Sequence, residues 1–233
     1  MPHGGLSVAI LGPDGAGKST LTGAIAEWLS REVAVVTTYG GSGKGSAAWP
    51  RRLLQGIAAG RRRMGGSNGA GQSRRSVPEH TSPVRTLGRL IWVWSLVRER
   101  RRRARESRRA RGLGMVILSD RFPQSQFPGM NDGPRLSQWL DDRSWLRRWA
   151  ARHEQAGFRL VELLPPDLVL KLQVSAEVAS RRKPETPEAQ VRSGIDMVQR
   201  LTFPDATTVV ALNAEQPLSS VLLQAKRAVW DRL

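Results

Sequence analysis

The sequence contains no cysteine, only three histidines and no long apolar run without charges. Without cysteine there can be neither a disulfide bond nor a thiolate metal site. His3, His80 and His153 are isolated from one another in the sequence, so they predict no metal-binding cluster. No stretch of about 18 uncharged apolar residues is present, so we expect no membrane-spanning helix. The amino-terminal residues lack a basic segment ahead of the first apolar run, so we expect no signal peptide. The absence of cysteine fits a cytoplasmic location.

Lysine is also scarce, with five lysines against 32 arginines, and the arginines are unevenly distributed. Residues 51–111 hold 18 arginines and three glutamates, a local charge of +15, whereas the rest of the chain carries only +2. Residues 60–83 have low complexity and no periodicity, which predicts a disordered loop. The length of 233 residues suits a single domain over 1–233 with a substantial core.

Five short apolar runs alternate with segments of helical periodicity. The predicted strands cover residues 6–11, 33–38, 115–120, 168–174 and 207–212. The predicted helices cover 18–30, 84–111, 136–156, 176–182, a segment that ends near 201, and 218–232. In the helix over 84–111, an apolar face would contain Leu87, Leu90, Ile91, Trp94 and Val97. This alternation predicts an α/β fold in three layers, with a five-stranded parallel sheet and helices on both faces.

A glycine-rich loop separates the first predicted strand from the first helix. Residues 12–19, GPDGAGKS, match the pattern G-x-x-x-x-G-K-[ST] of a P-loop, whose backbone amides wrap nucleotide phosphates. The positive end of the following helix dipole adds to this anion site. Lys18 would reach the β- and γ-phosphates, and the Ser19 hydroxyl would ligate Mg²⁺. The sequence therefore predicts a P-loop NTPase fold with ATP and Mg²⁺ as cofactors. Its predicted nucleotide-binding residues are Gly12, Asp14, Gly15, Ala16, Gly17, Lys18, Ser19 and Thr20.

A second glycine-rich stretch, YGGSGKGS at 39–46, lacks the spacing of the first. It follows the second predicted strand at the sheet edge where ligands of parallel sheets bind. It is interpreted either as an acceptor-side loop, with Tyr39 as a candidate substrate contact, or as a plain flexible turn.

Three blocks resemble the thymidylate kinase family of P-loop kinases: GPDGAGKST at 12–20, ILSDRF at 117–122 and PPDLVLKLQVSAEVASRR at 165–182. More loosely, YGGSGKG, DRFPQ and NDGPR are similar to uncharacterised thymidylate-kinase-like proteins encoded near bacterial surface-polysaccharide genes. The resemblance implies transfer of the ATP γ-phosphate to a nucleoside monophosphate, with dTMP as the default, or to a similar phosphorylated acceptor.

The chemistry of these residues and the resemblance suggest a role for each. Asp120, at the carboxyl end of a central strand, would order Mg²⁺ through water, accept the acceptor's proton, or simply cap the strand. Arg121 would hold the acceptor phosphate with its planar fork. The resemblance implies that Asp14 accepts a hydrogen bond from an acceptor sugar hydroxyl.

A catalytic arginine could come from a lid. Some family members have a basic residue inside the loop, where this chain has Ala16. Members without that residue supply an arginine from a mobile lid instead, and this chain resembles them. The segment at about 181–192 offers Arg181, Arg182, Lys183 and Arg192 for this purpose. The alternative interpretation is a solvated basic turn.

Two family segments that contact the acceptor are missing. The Thr-Arg-Glu-Pro-Gly-Gly segment is replaced by TTYGGSGKGS, and the Ala-Tyr-Gln segment by PGMNDGPRLS at 128–137. The second replacement offers Asp132 and Arg135 as candidate substrate contacts. The departures leave the donor side intact and the identity of the acceptor open.

Nine arginines lie within residues 98–111. They would form a solvated helix face, a surface for anionic lipid, a nucleic-acid contact, or a field that attracts a phosphate-rich acceptor. No base-reading module is recognisable, so specific nucleic-acid binding is not expected. A P-loop NTPase that acts as a nucleotide-dependent binding module on membrane or nucleic acid through residues 85–111 is the alternative function. A homodimer is compatible with the sequence.

Overall fold

The computed structural model describes residues 4–40, 83–130 and 133–233. Most of the glycine-rich stretch at 39–46, nearly all of the segment predicted to be disordered, and Asp132 lie outside the described residues. Within the described ranges, the strands are short and the helices account for most of the regular structure.

Five strands form one parallel sheet. They are β1 (Ser7–Leu11), β2 (Val35–Tyr39), β3 (Val116–Asp120), β4 (Leu168–Gln173) and β5 (Thr208–Asn213). Their order across the sheet is β2-β3-β1-β4-β5, and every neighbouring pair is parallel. The prediction of an α/β fold built on a five-stranded parallel sheet is confirmed.

Six α-helices lie in the described chain. They are α1 (Lys18–Leu29), α2 (Pro83–Gly112), α3 (Trp145–Glu162), α4 (Ala176–Arg182), α5 (Glu188–Arg200) and α6 (Leu218–Trp230). The Ser175 hydroxyl accepts a hydrogen bond from the Val178 amide and so caps the start of α4. No described helix combines the length and the apolar character needed to cross a bilayer.

The predicted helix over 136–156 is wrong in its boundaries. A short 3₁₀ helix at Ser137–Trp139 comes first, and α3 begins only at Trp145. The Asp142 carboxylate accepts the Ser144 amide at 2.8 Å and pairs with Arg147 at 3.0 Å. This local side-chain bonding competes with helical bonding and separates the two elements.

The alternation of side chains along β1 divides the core between the two faces of the sheet. Val8 and Ile10 are fully buried on one face with Leu21, Ile25 and Leu29 of α1. Helix α6 joins the same cluster. Ala9 and Leu11 face the opposite side, where residues of α5 cover them. The sheet is therefore covered by helices on both faces, as the sequence predicted.

The predicted apolar face of α2 is wrong for three of its five residues. Leu87, Ile91 and Trp94 are exposed to solvent, at 58, 40 and 52% of their full areas. The face that packs instead contains Val93 and Val97, which join residues of α3 and the 3₁₀ helix in a third apolar cluster. A Cβ built at Gly157 would lie 3.2 Å from Val97, so this glycine lets α2 and α3 approach closely. The position of α3, which the periodicity of α2 alone does not reveal, decides which face is buried.

Candidate functional site

The loop between β1 and α1 has the backbone geometry of an anion cradle. Gly15 and Gly17 adopt φ of 85° and 84°, a region that side chains with a Cβ rarely occupy. A Cβ at Gly15 would also lie 2.3 Å from the Ala179 carbonyl oxygen, so α4 closes against the loop there. Gly17 is the N-cap residue of α1 and no side chain caps the helix, so the first helical amides can point toward a bound phosphate.

Lys18 lies within the loop. Its side chain is almost fully buried, and its Nζ donates a hydrogen bond to the Pro13 carbonyl at 2.7 Å. The pKa of Lys18 is lowered to about 8, mainly by burial and also by the nearby charges of Arg121 and Lys183, while the carboxylates of Asp14 and Asp120 oppose the shift. The surroundings of Lys18 therefore disfavour its charged ammonium form. An anion bound beside it would offset this unfavourable energy.

Ser19 and Asp120 meet across the sheet edge. The parallel register pairs Asp120 with Ile10, near the end of β1, and the Ser19 hydroxyl donates to Asp120 Oδ2 at 2.6 Å. Asp120 Oδ1 is buried and has no hydrogen-bond partner. A buried carboxylate oxygen without a donor carries an energetic cost that a cation could offset. The oxygen donors of these two residues therefore fit Mg²⁺, which prefers oxygen ligands.

The protein by itself supplies few metal ligands. Among the described residues no three His, Asp or Glu side chains form a group that could hold a metal ion. Mg²⁺ is ordinarily held by one or two carboxylates together with waters and substrate phosphates. The pair formed by Ser19 and Asp120 therefore fits an ion that arrives with a nucleotide.

Arg121 occupies a strained backbone position at the end of β3. Its φ is 70°, the only positive value among the described non-glycine residues. Its amide donates to the Ile10 carbonyl at 3.1 Å, and a Cβ at Gly40 would lie 2.1 Å from the Arg121 carbonyl oxygen. The guanidinium donates to Asp14 Oδ1 at 2.7 Å and lies 6.0 Å from the Tyr39 ring. The residue with this unusual backbone conformation therefore places a guanidinium beside the phosphate loop, where Asp14 fixes it.

Asp14 lies among three cations rather than facing open space. Besides Arg121, the ammonium of Lys183 lies 3.5 Å from its Oδ2 and that of Lys18 lies 3.9 Å from its Oδ1. Burial would raise the pKa of Asp14, but the charges of Arg121, Lys18 and Lys183 hold it below its ordinary value. Lys183 was predicted only as one of several basic residues of a lid, and its position just after α4 places it against the loop.

The three lid arginines make other contacts. Arg181 pairs with Glu177 at 2.7 Å and Arg192 with Glu188 at 2.6 Å, both one helical turn away and exposed. Arg182 donates to the Ala214 carbonyl at 2.9 Å. It also lines a cavity of about 220 Å³ beside the phosphate loop, together with Ala16, Gly17, Thr20, Leu21, Leu172, Ala214, Gln216, Leu218 and Val221. Proximity to the loop thus separates Arg182 and Lys183 from Arg181 and Arg192.

The remaining candidate substrate contact, Arg135, lies against α2 and α3. Its backbone amide donates to Oε2 of the buried Glu154 at 2.9 Å, and its guanidinium lies 5.8 Å from the Trp92 ring. Sequence reasoning missed Glu154, which also accepts the Leu136 amide at 2.8 Å. A glutamate on the otherwise apolar inner face of α3 was the available signal.

A second cavity, of about 70 Å³, extends from Arg121 underneath the basic half of α2. Strand residues Thr38 and Ser119 form part of its wall, and their hydroxyls share a hydrogen bond of 2.8 Å. Helix α2 contributes Arg100, Arg103, Ala104, Ser107, Arg108 and Arg111. One side of the basic half of α2 therefore borders the same cavity as Arg121. The sequence alone did not reveal this contact.

The sheet and the glycine-rich loop define this protein as P-loop NTPase-like in fold. Two curated proteins of Escherichia coli (strain K12) are similar to almost the whole chain. The uncharacterized ATP-binding protein YghR is 27% identical over 225 residues, covering 95% of this chain and 86% of its own. The uncharacterized ATP-binding protein YghS is 26% identical over 235 residues, covering 97% and 93%. No family model matches the chain. Neither name states a reaction, so the resemblance to thymidylate kinases stays a prediction.

Proposed function

We propose that this protein is an ATP-dependent phosphotransferase that moves the γ-phosphate of ATP onto a phosphorylated small molecule. A nucleoside monophosphate such as dTMP is the starting candidate for the acceptor. The observation that carries the proposal is the placement of Arg121. Its guanidinium bonds to the phosphate-loop residue Asp14, and Arg121 also lines the second cavity, the one underneath α2. A guanidinium in this position, between the phosphate loop and a cavity, is suited to contact with an acceptor phosphate.

The donor would be bound by the loop and by the cavity next to it. The backbone amides of residues 14–17 and the Lys18 ammonium would hold the phosphates. Ser19 and Asp120 would hold Mg²⁺, which neutralises charge on the β- and γ-phosphates when bound. The cavity lined by Arg182 and by apolar residues of α1 and α6 has the chemistry to take the adenine ring. The names of both relatives support ATP as the ligand.

In the proposed reaction an acceptor phosphate oxygen forms a bond to the γ-phosphorus while the bond from that phosphorus to the β–γ bridging oxygen breaks. ADP leaves with the bond electrons, and an ionised acceptor phosphate needs no general base. Arg121 would orient the acceptor oxygen, and Lys18 would stabilise charge on the transferred group. Lys183 already lies at the loop and would supply the second catalytic cation, the role that the sequence analysis gave to a lid arginine.

The experiment is a coupled assay of ADP release across nucleoside monophosphates and phosphorylated sugars. We expect at least one acceptor to stimulate ADP release above the rate with ATP and Mg²⁺ alone. Arg121→Gln should lose this stimulation by about a hundredfold or more and still bind ATP. Arg227→Gln, on α6, is the matched control and should retain it. If no acceptor stimulates release in the wild-type protein while anionic vesicles or DNA do, the proposal is wrong.

A second candidate function, membrane attachment, is favoured by the outer side of α2. Leu87, Ile91 and Trp94 form an exposed apolar stripe at helical spacing, and the Arg98 guanidinium lies 5.5 Å from the Trp94 ring. Exposed apolar and aromatic residues next to arginines are typical of helices that lie on anionic membranes. Under this candidate function the phosphate loop would control when the protein binds the membrane.

A further inference from the structure

The eight arginines of α2 between residues 100 and 111 fall into two sets. Arg100, Arg103, Arg108 and Arg111 line the cavity beside Arg121, whereas Arg101, Arg102, Arg105 and Arg109 do not line it. The first set follows one stripe of the helix, together with the small residues Ala104 and Ser107. Small residues between arginines leave room for a ligand along this stripe.

The charged residues among the described lining of the cavity are all positive. Five arginine side chains contribute to its wall, counting Arg121, and no carboxylate is among its described lining residues. The acidic partners of these arginines lie outside the lining: Glu99 at 2.5 Å from Arg103, Asp167 at 2.8 Å from Arg111, and Asp14 at 2.7 Å from Arg121. Arg100 is nearly buried and its guanidinium lies 3.7 Å from the Phe158 ring centre. Guanidinium forks held in place in this way are suited to planar contact with oxyanions.

The cavity is elongated and narrow. From Arg100 to Arg111 the helix rises about 16 Å, at 1.5 Å per residue. On the sheet side, the cavity runs from Arg121 past Ser119 to Ser7, which pairs with Ile117. Four residues of strand span about 13 Å. A volume of about 70 Å³ is small beside the roughly 300–1,000 Å³ of ordinary ligand pockets. It therefore suits an anionic group on a slender stem, not a second whole molecule.

We infer that the acceptor carries two separated phosphate-type oxyanions, one held at Arg121 beside the phosphate loop and the second held underneath α2 at Arg103 and Arg108. This inference rests on the proposed function, because it names the class of acceptor for the same site. The inner stripe of the basic helix is then a subsite for the substrate, distinct from the outer apolar stripe. The apolar side chains of Phe122, Val161 and Leu164 along the cavity would contact the stem between the two charges.

The test measures binding, not turnover. Alkane bisphosphonates of short, medium and long chain are titrated calorimetrically into the full chain at physiological salt, each against the alkyl monophosphonate of the same length. We expect at least one bisphosphonate to bind about tenfold or more tightly than its monophosphonate. The variant R103Q/R108Q should lose this preference. The matched variant R101Q/R105Q removes the same charge from the outer side and should keep it.

Removal of Arg103 leaves the buried Glu99 without one ion pair, so thermal unfolding of each variant is measured alongside. If R103Q/R108Q does not fold, R108Q and the cavity-filling variant S107L take its place, since S107L keeps every charge. Equal binding of bisphosphonates and monophosphonates overturns the inference. The inference is also wrong if R101Q/R105Q loses the preference for bisphosphonates as strongly as R103Q/R108Q does, because the preference would then reflect only the overall positive charge of the helix.

The inference and the proposed function can fail separately. ATP affinity is measured for every variant and should not change. If a nucleotide acceptor with a single phosphate stimulates ADP release equally in the wild type and in R103Q/R108Q, the inference is wrong and the proposed function stands. If bisphosphonates bind as expected but no phosphorylated acceptor stimulates ADP release, the proposed function is wrong and the anion subsite stands on its own.

Discussion

Lys18 should destabilise the nucleotide-free protein, so its replacement by methionine should make that protein more stable. Burial lowers the pKa of this lysine from 10.5 to about 8, which means that the folded state binds its proton more weakly than the unfolded chain does. At 1.36 kcal/mol for each pKa unit, the cost at neutral pH is about 3 kcal/mol. Lys18→Met keeps the length of the side chain and removes the buried charge, but it also loses the hydrogen bond to Pro13. A net gain of about 1–3 kcal/mol in the free energy of unfolding follows.

The assay is urea unfolding at pH 7 without nucleotide. Arg227→Met on the exposed surface of α6 is the control and should change stability by no more than about 0.5 kcal/mol. The cost is fully present below pH 8 and disappears as pH rises toward 10.5, because the unfolded chain alone still binds the proton in that window. The advantage of Lys18→Met should therefore shrink over the same window. With saturating ATP and Mg²⁺ the order should reverse, since only the wild type gains binding energy through the ammonium.

Two results would refute this reasoning. One is a Lys18→Met variant that is less stable than the wild type at pH 7, which would mean that the loop contacts of the lysine outweigh its burial. The other is an advantage that stays constant from pH 8 to 10.5, which would mean that the pKa of Lys18 is not lowered.

Three further predictions concern nucleotide affinity, the loop backbone and the outer stripe of α2. The dissociation constant for ATP should rise by up to about tenfold per pH unit above pH 8, because Lys18 then loses its proton in the free protein, and a fluorescence titration should show no such rise for Lys18→Met. Gly15→Ala should abolish ATP binding, because its Cβ would meet a backbone oxygen of α4 at 2.3 Å; Gly17→Ala, with the same positive φ but no atom within 4 Å, should cost only about 1–2 kcal/mol in urea unfolding. If the outer stripe of α2 binds membranes, Trp94→Ser should reduce co-sedimentation with anionic vesicles several-fold, while Trp230→Ser, at a tryptophan that is even more exposed, should not; no co-sedimentation of the wild type would exclude this candidate function.

The prediction of the fold succeeded where local pattern and burial agree. The five apolar runs are parallel strands, and the three central ones, β1, β3 and β4, are mostly buried. The periodicity of Leu21, Ile25 and Leu29 marks the face of α1 that enters the core. It failed where a helix had two plausible faces. On α2 the large apolar residues Leu87 and Trp94 remain in solvent, and the smaller Val93 and Val97 are buried. Periodicity finds a helix, but only the neighbouring helix determines which side is covered.

The candidate site likewise has parts that could be predicted from the sequence and parts that could not. The phosphate loop could be located from residues 12–19 because each of its parts is adjacent in sequence, and adjacent residues keep their relation in any fold. Lys183 at Asp14 and the inner arginines of α2 at Arg121 could not be located in this way. Their contacts join residues that are far apart along the chain.

The sequence by itself determined the order of strands and helices, the phosphate loop with its lysine and serine, and the concentration of positive charge in one segment. Only the tertiary structure decided that Asp120 meets Ser19, that Arg121 and Lys183 surround Asp14, and that one stripe of α2 borders a cavity. The physical reason is that hydrogen-bonding capacity and periodicity are properties of neighbouring residues. Burial and charge complementarity instead arise from the packing of elements onto a common sheet.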